Sequence, residues 1–243
     1  IPFQSGFPKD GAWSVCVKLS DAAGNLAFGK SDVITRDTAA PAFISLKGAN
    51  QAADGSINAG DASSTLKMFH LLAAEEDQAF YSSLFDLNHA PQACDGSVNY
   101  PESQPPRIMT AAVDGQYSTC VKLIDKAGNI AYGKSAVIVR DTLAPEFASL
   151  AGQQEAVDGF INSNDKSSAA NAWLLEAKNS DSTLFTTPFE VSKKKVNCDS
   201  GRVYNQRAPT SIARLAQDGA WAICVKLEDS VGNQTFGLSQ TIV

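Results

Sequence analysis

The sequence predicts an all-β chain, a tandem row of antiparallel β modules with a repeat of 104 residues. Three observations carry this. First, residues 120–129 (CVKLIDKAGN) recur as 16–25 (CVKLSDAAGN) and 224–233 (CVKLEDSVGN), each copy 104 residues from the next without a gap. A period of that length is one small domain, not a helical or strand-level repeat. Second, side chains alternate around each copy. Trp13, Val15, Val17 and Leu19 share one face, matched by Tyr117, Thr119, Val121 and Leu123, and by Trp221, Ile223, Val225 and Leu227. Period two with β-branched and aromatic residues inward is the pattern of a half-buried strand. Third, Cys94 precedes Cys120, and Cys198 precedes Cys224, by the same 26 residues.

The repeated stretch ends in Asp-x-x-Gly-Asn, which reads as a hairpin loop. Gly24, Gly128 and Gly232 suit the left-handed backbone of such loops, and the Asp carboxylate can accept amides of the turn. A second strand is expected through Phe28, Tyr132 and Phe236 towards Val33-Ile34, Val137-Ile138 and Thr241-Ile242. In chain order, residues 1–36 read as the closing hairpin of a truncated module, 37–140 as one module and 141–243 as another. Two strands cannot enclose a core. The first segment is therefore expected to be cut off, to lie on its neighbour, or to be completed by another chain.

Arg36-Asp37-Thr38-Ala39-Ala40-Pro41 recurs as Arg140-Asp141-Thr142-Leu143-Ala144-Pro145, a short proline-stiffened linker that restricts the angle between modules. Strands are expected next at 42–46 and 146–150, then oxygen-rich turns at 53–61 (ADGSINAGD) and 157–165 (VDGFINSND). Phe69, Leu71, Ala73, Phe80, Tyr81 and Phe85 have apolar counterparts in Trp173, Leu175, Ala177, Leu184, Phe185 and Phe189, read as further core strands. Residues 66–76 have helical propensity, but their counterpart carries Asn171, Trp173 and Lys178-Asn179-Ser180, which favours a strand. The surface differs between modules, with Glu75-Glu76-Asp77 in one and Lys193-Lys194-Lys195 in the other. Any individual recognition is expected in the loops at 75–93 and 179–197.

The cysteine spacing predicts disulfides Cys94–Cys120 and Cys198–Cys224. The partner of Cys16 would fall before residue 1, which leaves Cys16 single. In the chain-entropy description each bond is worth about 3.5 kcal/mol. Each bridging cysteine shares its face with Lys122 or Lys226, so the bond should staple a loop to the outside of a sheet. No CxxC spacing points to a metal site instead. Repeated cysteine pairs suit an oxidising, extracellular place.

With 44% hydrophobic and 19% charged residues and a net charge of −6, the composition is that of a globular protein. The acidic balance, without a basic stripe, argues against nucleic acid as a partner. No apolar run reaches the length of a membrane helix. His70 and His89 align with Leu174 and Lys193 in the other module, and no nucleophile elbow, phosphate-cradling loop or metal-binding His pair is present. The expectation is a non-enzyme.

Taken together, Asp-x-x-Gly-Asn, an aliphatic strand, Asp-Thr-x-Ala-Pro and Asp-Gly-x-Ile-Asn resemble bacterial immunoglobulin-like repeats, found in tandem in large surface and adhesin proteins. The resemblance covers essentially the whole chain. It implies a seven-stranded Greek-key β-sandwich with the recurring hairpin as its last two strands. The cysteine pair departs from many such repeats. Calcium-dependent relatives imply Ca²⁺ between modules, which would draw on Asp54, Asn58, Asp61, Asp114, Asp141, Asp229 and Asn233, whose oxygens are the hard donors this ion requires. The alternative for each Asp is that it caps a turn. The function implied is a stiff, non-enzymatic spacer of a bacterial surface protein with neighbouring repeats as partners. The alternatives are a module that binds a glycan or protein through its variable loops, and a self-assembling fibre subunit.

Overall fold

The structure is a computed structural model and describes residues 6–74, 78–91, 93–191, 197–205, 211–215 and 217–243. It forms two compact units. The first comprises Ile1–Gly55, Thr65–Thr110 and Gly115–Ile138, and the second Ser56–Ser64, Ala111–Asp114 and Val139–Val243. The described residues form strands and short 3-10 turns, with no α-helix among them.

In chain order the strands are β1 (Gly11–Trp13), β2 (Cys16–Ser20), β3 (Leu26–Lys30), β4 (Ile34–Arg36), β5 (Phe43–Gly48), β6 (Ser56–Ile57), β7 (Phe69–Ala73) and β8 (Ala79–Asp86). They continue as β9 (Gly115–Ile124), β10 (Ile130–Lys134), β11 (Ile138–Arg140), β12 (Phe147–Gly152), β13 (Trp173–Ala177), β14 (Thr183–Glu190), β15 (Trp221–Glu228) and β16 (Gln234–Leu238). Strands β5, β7 and β8 recur 104 residues later as β12, β13 and β14. So does the register shift between Phe43 and Ser45, at Phe147 and Ser149.

Both units are β-sandwiches. In the first, β5 pairs antiparallel with β7, and β9 runs antiparallel between β8 and β10. Phe69, Leu71, Val121 and Leu123 are buried between these layers. The second repeats the plan with β12–β13 and β14–β15–β16, around Trp173, Leu175, Ile223 and Val225. It also holds the parallel β6–β11 pair. The layers approach closely at one glycine in each unit. A Cβ on Gly133 would lie 2.8 Å from Leu46 Cδ1 and 2.9 Å from the Phe43 ring, and Gly237 meets Leu150 and Phe147 at 2.7 and 2.8 Å.

Three expectations are corrected in detail. The second strand of each hairpin does not run on unbroken. Ser135 N–H still bonds Thr119 O, but the Ala136 N–H turns to Leu46 O on β5, so the chain leaves one layer for the other. Ser135 Oγ accepts the Thr119 N–H at 3.0 Å and donates to Ala136 O, taking the backbone groups this crossing frees. Ser239 repeats the crossing, with Gln240 N–H on Leu150 O. Second, Tyr81 and Phe185 do not point into the core. They lie across the strand from Lys122 and Lys226, whose ammonium groups sit 4.8 and 4.3 Å from their ring centroids on the outer face. Third, β9 is buried on both faces from Tyr117 to Val121 instead of alternating, because a disulfide-bonded loop covers its outer side.

Among the described residues the first hairpin pairs only with itself: β2 with β3, and β1 with β4. Val17 and Leu19, counterparts of the buried Val121 and Leu123, are 44% and 65% exposed. Of residues 66–76, 69–73 form a strand, as expected. Ile1-Pro2-Phe3, Glu75-Glu76-Asp77 and Lys193-Lys194-Lys195 lie outside the described residues, and with them part of the two variable loops.

Candidate functional site

Each Asp-x-x-Gly-Asn hairpin is held by one carboxylate. Asp229 Oδ1 accepts the N–H groups of Val231 and Asn233 at 3.0 and 2.9 Å, and its Oδ2 accepts Asn233 Nδ2 at 2.9 Å. Asp125 and Asp21 repeat all three bonds within 0.1 Å. In both, the side chain of the following Asn holds the carboxyl below the usual carboxylate range, aided by the loop amides. The pattern is the same whether the loop is exposed, as at Asp21, or partly covered, as at Asp229. It therefore belongs to the hairpin itself.

What differs is the second use of the asparagine. Asn233 Nδ2 also donates to Asp141 O at 2.9 Å, and Asn233 Oδ1 accepts the Ala59 N–H at 2.8 Å. Asn58 Nδ2 reaches Val231 O at 3.3 Å, and the Asp141 N–H bonds Ile57 O at 3.0 Å. One carboxamide thus ties together three stretches of the second unit: the 58–61 turn, the start of the 141–145 linker and the 229–233 loop. Asn233 is 4% exposed and both its side-chain polar atoms have partners, as buried amides require. Asn129 makes the corresponding linker bond, to Asp37 O at 3.2 Å.

The other residues expected to bind calcium are placed as follows. Asn58 Oδ1 accepts the Gly60 N–H at 2.8 Å and Asp61 Oδ2 the Asn58 N–H at 3.4 Å, closing their own turn. Asp114 faces the Arg140 guanidinium and accepts Thr142 Oγ1 on both oxygens, just as Asp10 holds Arg36 and Thr38. Asp141 Oδ1 caps Leu143 N–H at 3.0 Å. Asp54 is exposed and belongs to the first unit, the other six to the second.

Calcium needs six to eight oxygens converging at about 2.3–2.6 Å. Here the oxygens are divided among hairpin, turn and linker, Asp229, Asn233, Asn58, Asp61 and Asp141 each accept an N–H on at least one side-chain oxygen, and Asp114 is matched by an arginine. As arranged, the residues do not fit the ion, and among the described residues no three His, Cys, Asp or Glu side chains gather as a metal-holding group.

The disulfides join Cys94 to Cys120 and Cys198 to Cys224 across the outer face of β9 and β15. Cys16 is a free, exposed thiol. Sequence reasoning missed the tyrosine six residues after the first cysteine of each pair. Tyr100 donates to Asp95 O at 3.0 Å and packs on Tyr132, with Lys122 5.6 Å from its ring. Tyr204 does the same on Asp199 O and Phe236. Burial, with Tyr132 and Asp95 nearby, pushes the Tyr100 hydroxyl up to about 12. The signal available was the recurrence of Tyr100 and Tyr204 at the 104-residue period.

No protein-family model matches this chain, and no curated protein does. Solved structures do. One is described as a Ca²⁺-stabilized adhesin that helps an Antarctic bacterium reach out and bind ice. It is 19% identical, with 96% of this chain and 56% of that chain covered and a TM-score of 0.35. A 1.5-MDa bacterial ice-binding adhesin is 16% identical, with coverages of 79% and 62% and a TM-score of 0.39. A tetra-tandem repeat in the extending region of a large adhesion protein is 15% identical, with coverages of 96% and 57% and a TM-score of 0.30. The chain thus spans less than two thirds of each. Among the described residues no helix is long and apolar enough to cross a membrane.

Proposed function

We propose that the chain is a structural, non-enzymatic segment of an extracellular surface protein, a row of β modules divided at 36/37 and 140/141 whose joints resist bending. The Asn233 carboxamide carries this reading. With the modules so divided, it fastens the 58–61 turn of one repeat and the linker to the hairpin loop of the next. The proline-stiffened linker removes freedom from the same place. The disulfides suit an oxidising exterior, and each pins a loop onto the sheet whose strand runs into the hairpin. The repeated polar residues serve hairpins and joints, which is the economy of a spacer.

Small-angle scattering tests this. The native chain should give one narrow distribution of maximum dimension, and Asn233→Ala a broader one at unchanged secondary structure. A broad distribution for the native chain would sink the spacer reading.

A further inference from the structure

Strand β8 pairs with β9 on one side, and its other side is an edge of the sheet. Along such an edge the backbone groups of every second residue face away from the ladder. Two neighbours fix the phase. Ser82 donates its N–H to Glu102 O at 2.7 Å and accepts the Glu102 N–H at 3.2 Å, so its backbone groups face outward. Thr119, opposite Leu84 on β9, spends its N–H and carbonyl on Ser135. Leu84 therefore turns its own N–H and carbonyl outward, and among the described residues neither has a partner.

The chain itself shows what this edge accepts. Glu102 adds to β8 as a single antiparallel bridge, and in continued register Tyr100 would meet Leu84. It does not. The Tyr100 hydroxyl donates to Asp95 O and its ring packs on Tyr132, so the backbone leaves the edge after one residue. Beside Leu84 lies a cleft of about 520 Å³, walled by Pro105 and Pro106 and rimmed by Glu102 and Arg107. That is the size of an ordinary binding site, with a few polar groups on an otherwise apolar wall. The second unit is closed at the same place. Pro188 on β14 lies opposite Ile223 as Leu84 lies opposite Thr119, one period earlier. Proline has no N–H to exchange with an added strand and blocks an edge for that reason.

We propose that the Leu84 edge and its cleft form a docking site for an extended segment of a partner protein, which adds to β8 as a further antiparallel strand. One residue of that segment exchanges two hydrogen bonds with Leu84, extending the pairing that Glu102 begins at Ser82. Its apolar side chain packs on Pro105 and Pro106. The rim carries one charge of each sign, which suits a segment without net charge and disfavours a polyanion. Main-chain bonds supply the affinity and the cleft walls the selectivity, as strand addition does in general.

The test is ¹H–¹⁵N NMR of the whole chain with a blocked peptide of alternating threonine and valine, taken to about 2 mM, where a few backbone hydrogen bonds register. The Leu84 amide should move downfield and saturate, while the amides of β14 stay still. The same peptide methylated on all its backbone nitrogens cannot donate, and should bind at least about tenfold more weakly. Leu84→Pro, the residue β14 already carries at this place, should weaken binding by a similar factor in an otherwise native spectrum. A Leu84 amide that stays still, binding undiminished by N-methylation, or binding undiminished in Leu84→Pro each overturns the proposal. Where Leu84→Pro does not fold, the methylated peptide decides alone. The spacer reading rests on Asn233 and stands or falls separately.

Discussion

The carboxamide oxygen of Asn233 accepts the Ala59 N–H at 2.8 Å across 174 residues of sequence, from a side chain 4% exposed. Its nitrogen is shared between Asp229 and the Asp141 carbonyl. A single amide is thus the meeting point of a turn, a linker and a hairpin.

Asn233→Ala leaves the Ala59 N–H and the Asp141 carbonyl without this partner, a loss of about 1–3 kcal/mol for a buried hydrogen-bonding group. Asn233→Asp should cost more, because it sets a second carboxylate beside Asp229 and opposite a carbonyl. Urea unfolding measures the cost, and hydrogen exchange should show the Ala59 amide losing protection in both variants. Since amide donors occupy these oxygens, Ca²⁺ and EDTA should give the same melting temperature for the native chain. A rise of several degrees with Ca²⁺ would show that the oxygens regroup around the ion.

Gly133→Ala should destabilise by about 1–3 kcal/mol, since its Cβ would press on Leu46 and the Phe43 ring in a filled interface. Gly29→Ala, the same position one period earlier, should be nearly neutral, because nothing lies within 4 Å of that Cβ. Thermal melts of the two variants make the comparison. Equal losses would mean that strand propensity, and not packing between layers, governs both.

The Asp125 hairpin should respond to acid later than an ordinary aspartate. Its carboxyl is held below 3.8 first by the Asn129 side chain, so the loop's contribution is fully present above the ordinary aspartate range and is lost as pH falls through the lowered value. An NMR titration of the Asp125 carboxyl should place its midpoint below 3.8, and Asn129→Ala should raise it. A midpoint unchanged by Asn129→Ala would remove the asparagine as the cause.

Much of this architecture is legible in residue spacing. The 104-residue period and the strand alternation around Val121 and Val225 follow from local chemistry repeated in register. The cysteine separation of 26 matches the two bonds in the structure. Other features were written in the chain but carried no pattern that stands out by itself. Ser135 and Ser239 look like ordinary strand residues until Ala136 and Gln240 are seen to bond the opposite layer. Tyr81 and Phe185 read as core because an aromatic residue has the same letter on either side of a sheet, and only the facing lysines reveal the outer one.

Sequence alone determined that the chain is a repeated β module with paired cysteines and Asp-capped hairpins, because those depend on groups a few residues apart or on a period that survives in the letters. Tertiary structure alone decided what the oxygens of these turns and linkers do. Whether Asp229, Asn233, Asn58 and Asp141 bind one another or a cation depends on which lone pairs already face an N–H. That is set by the approach of segments more than eighty residues apart.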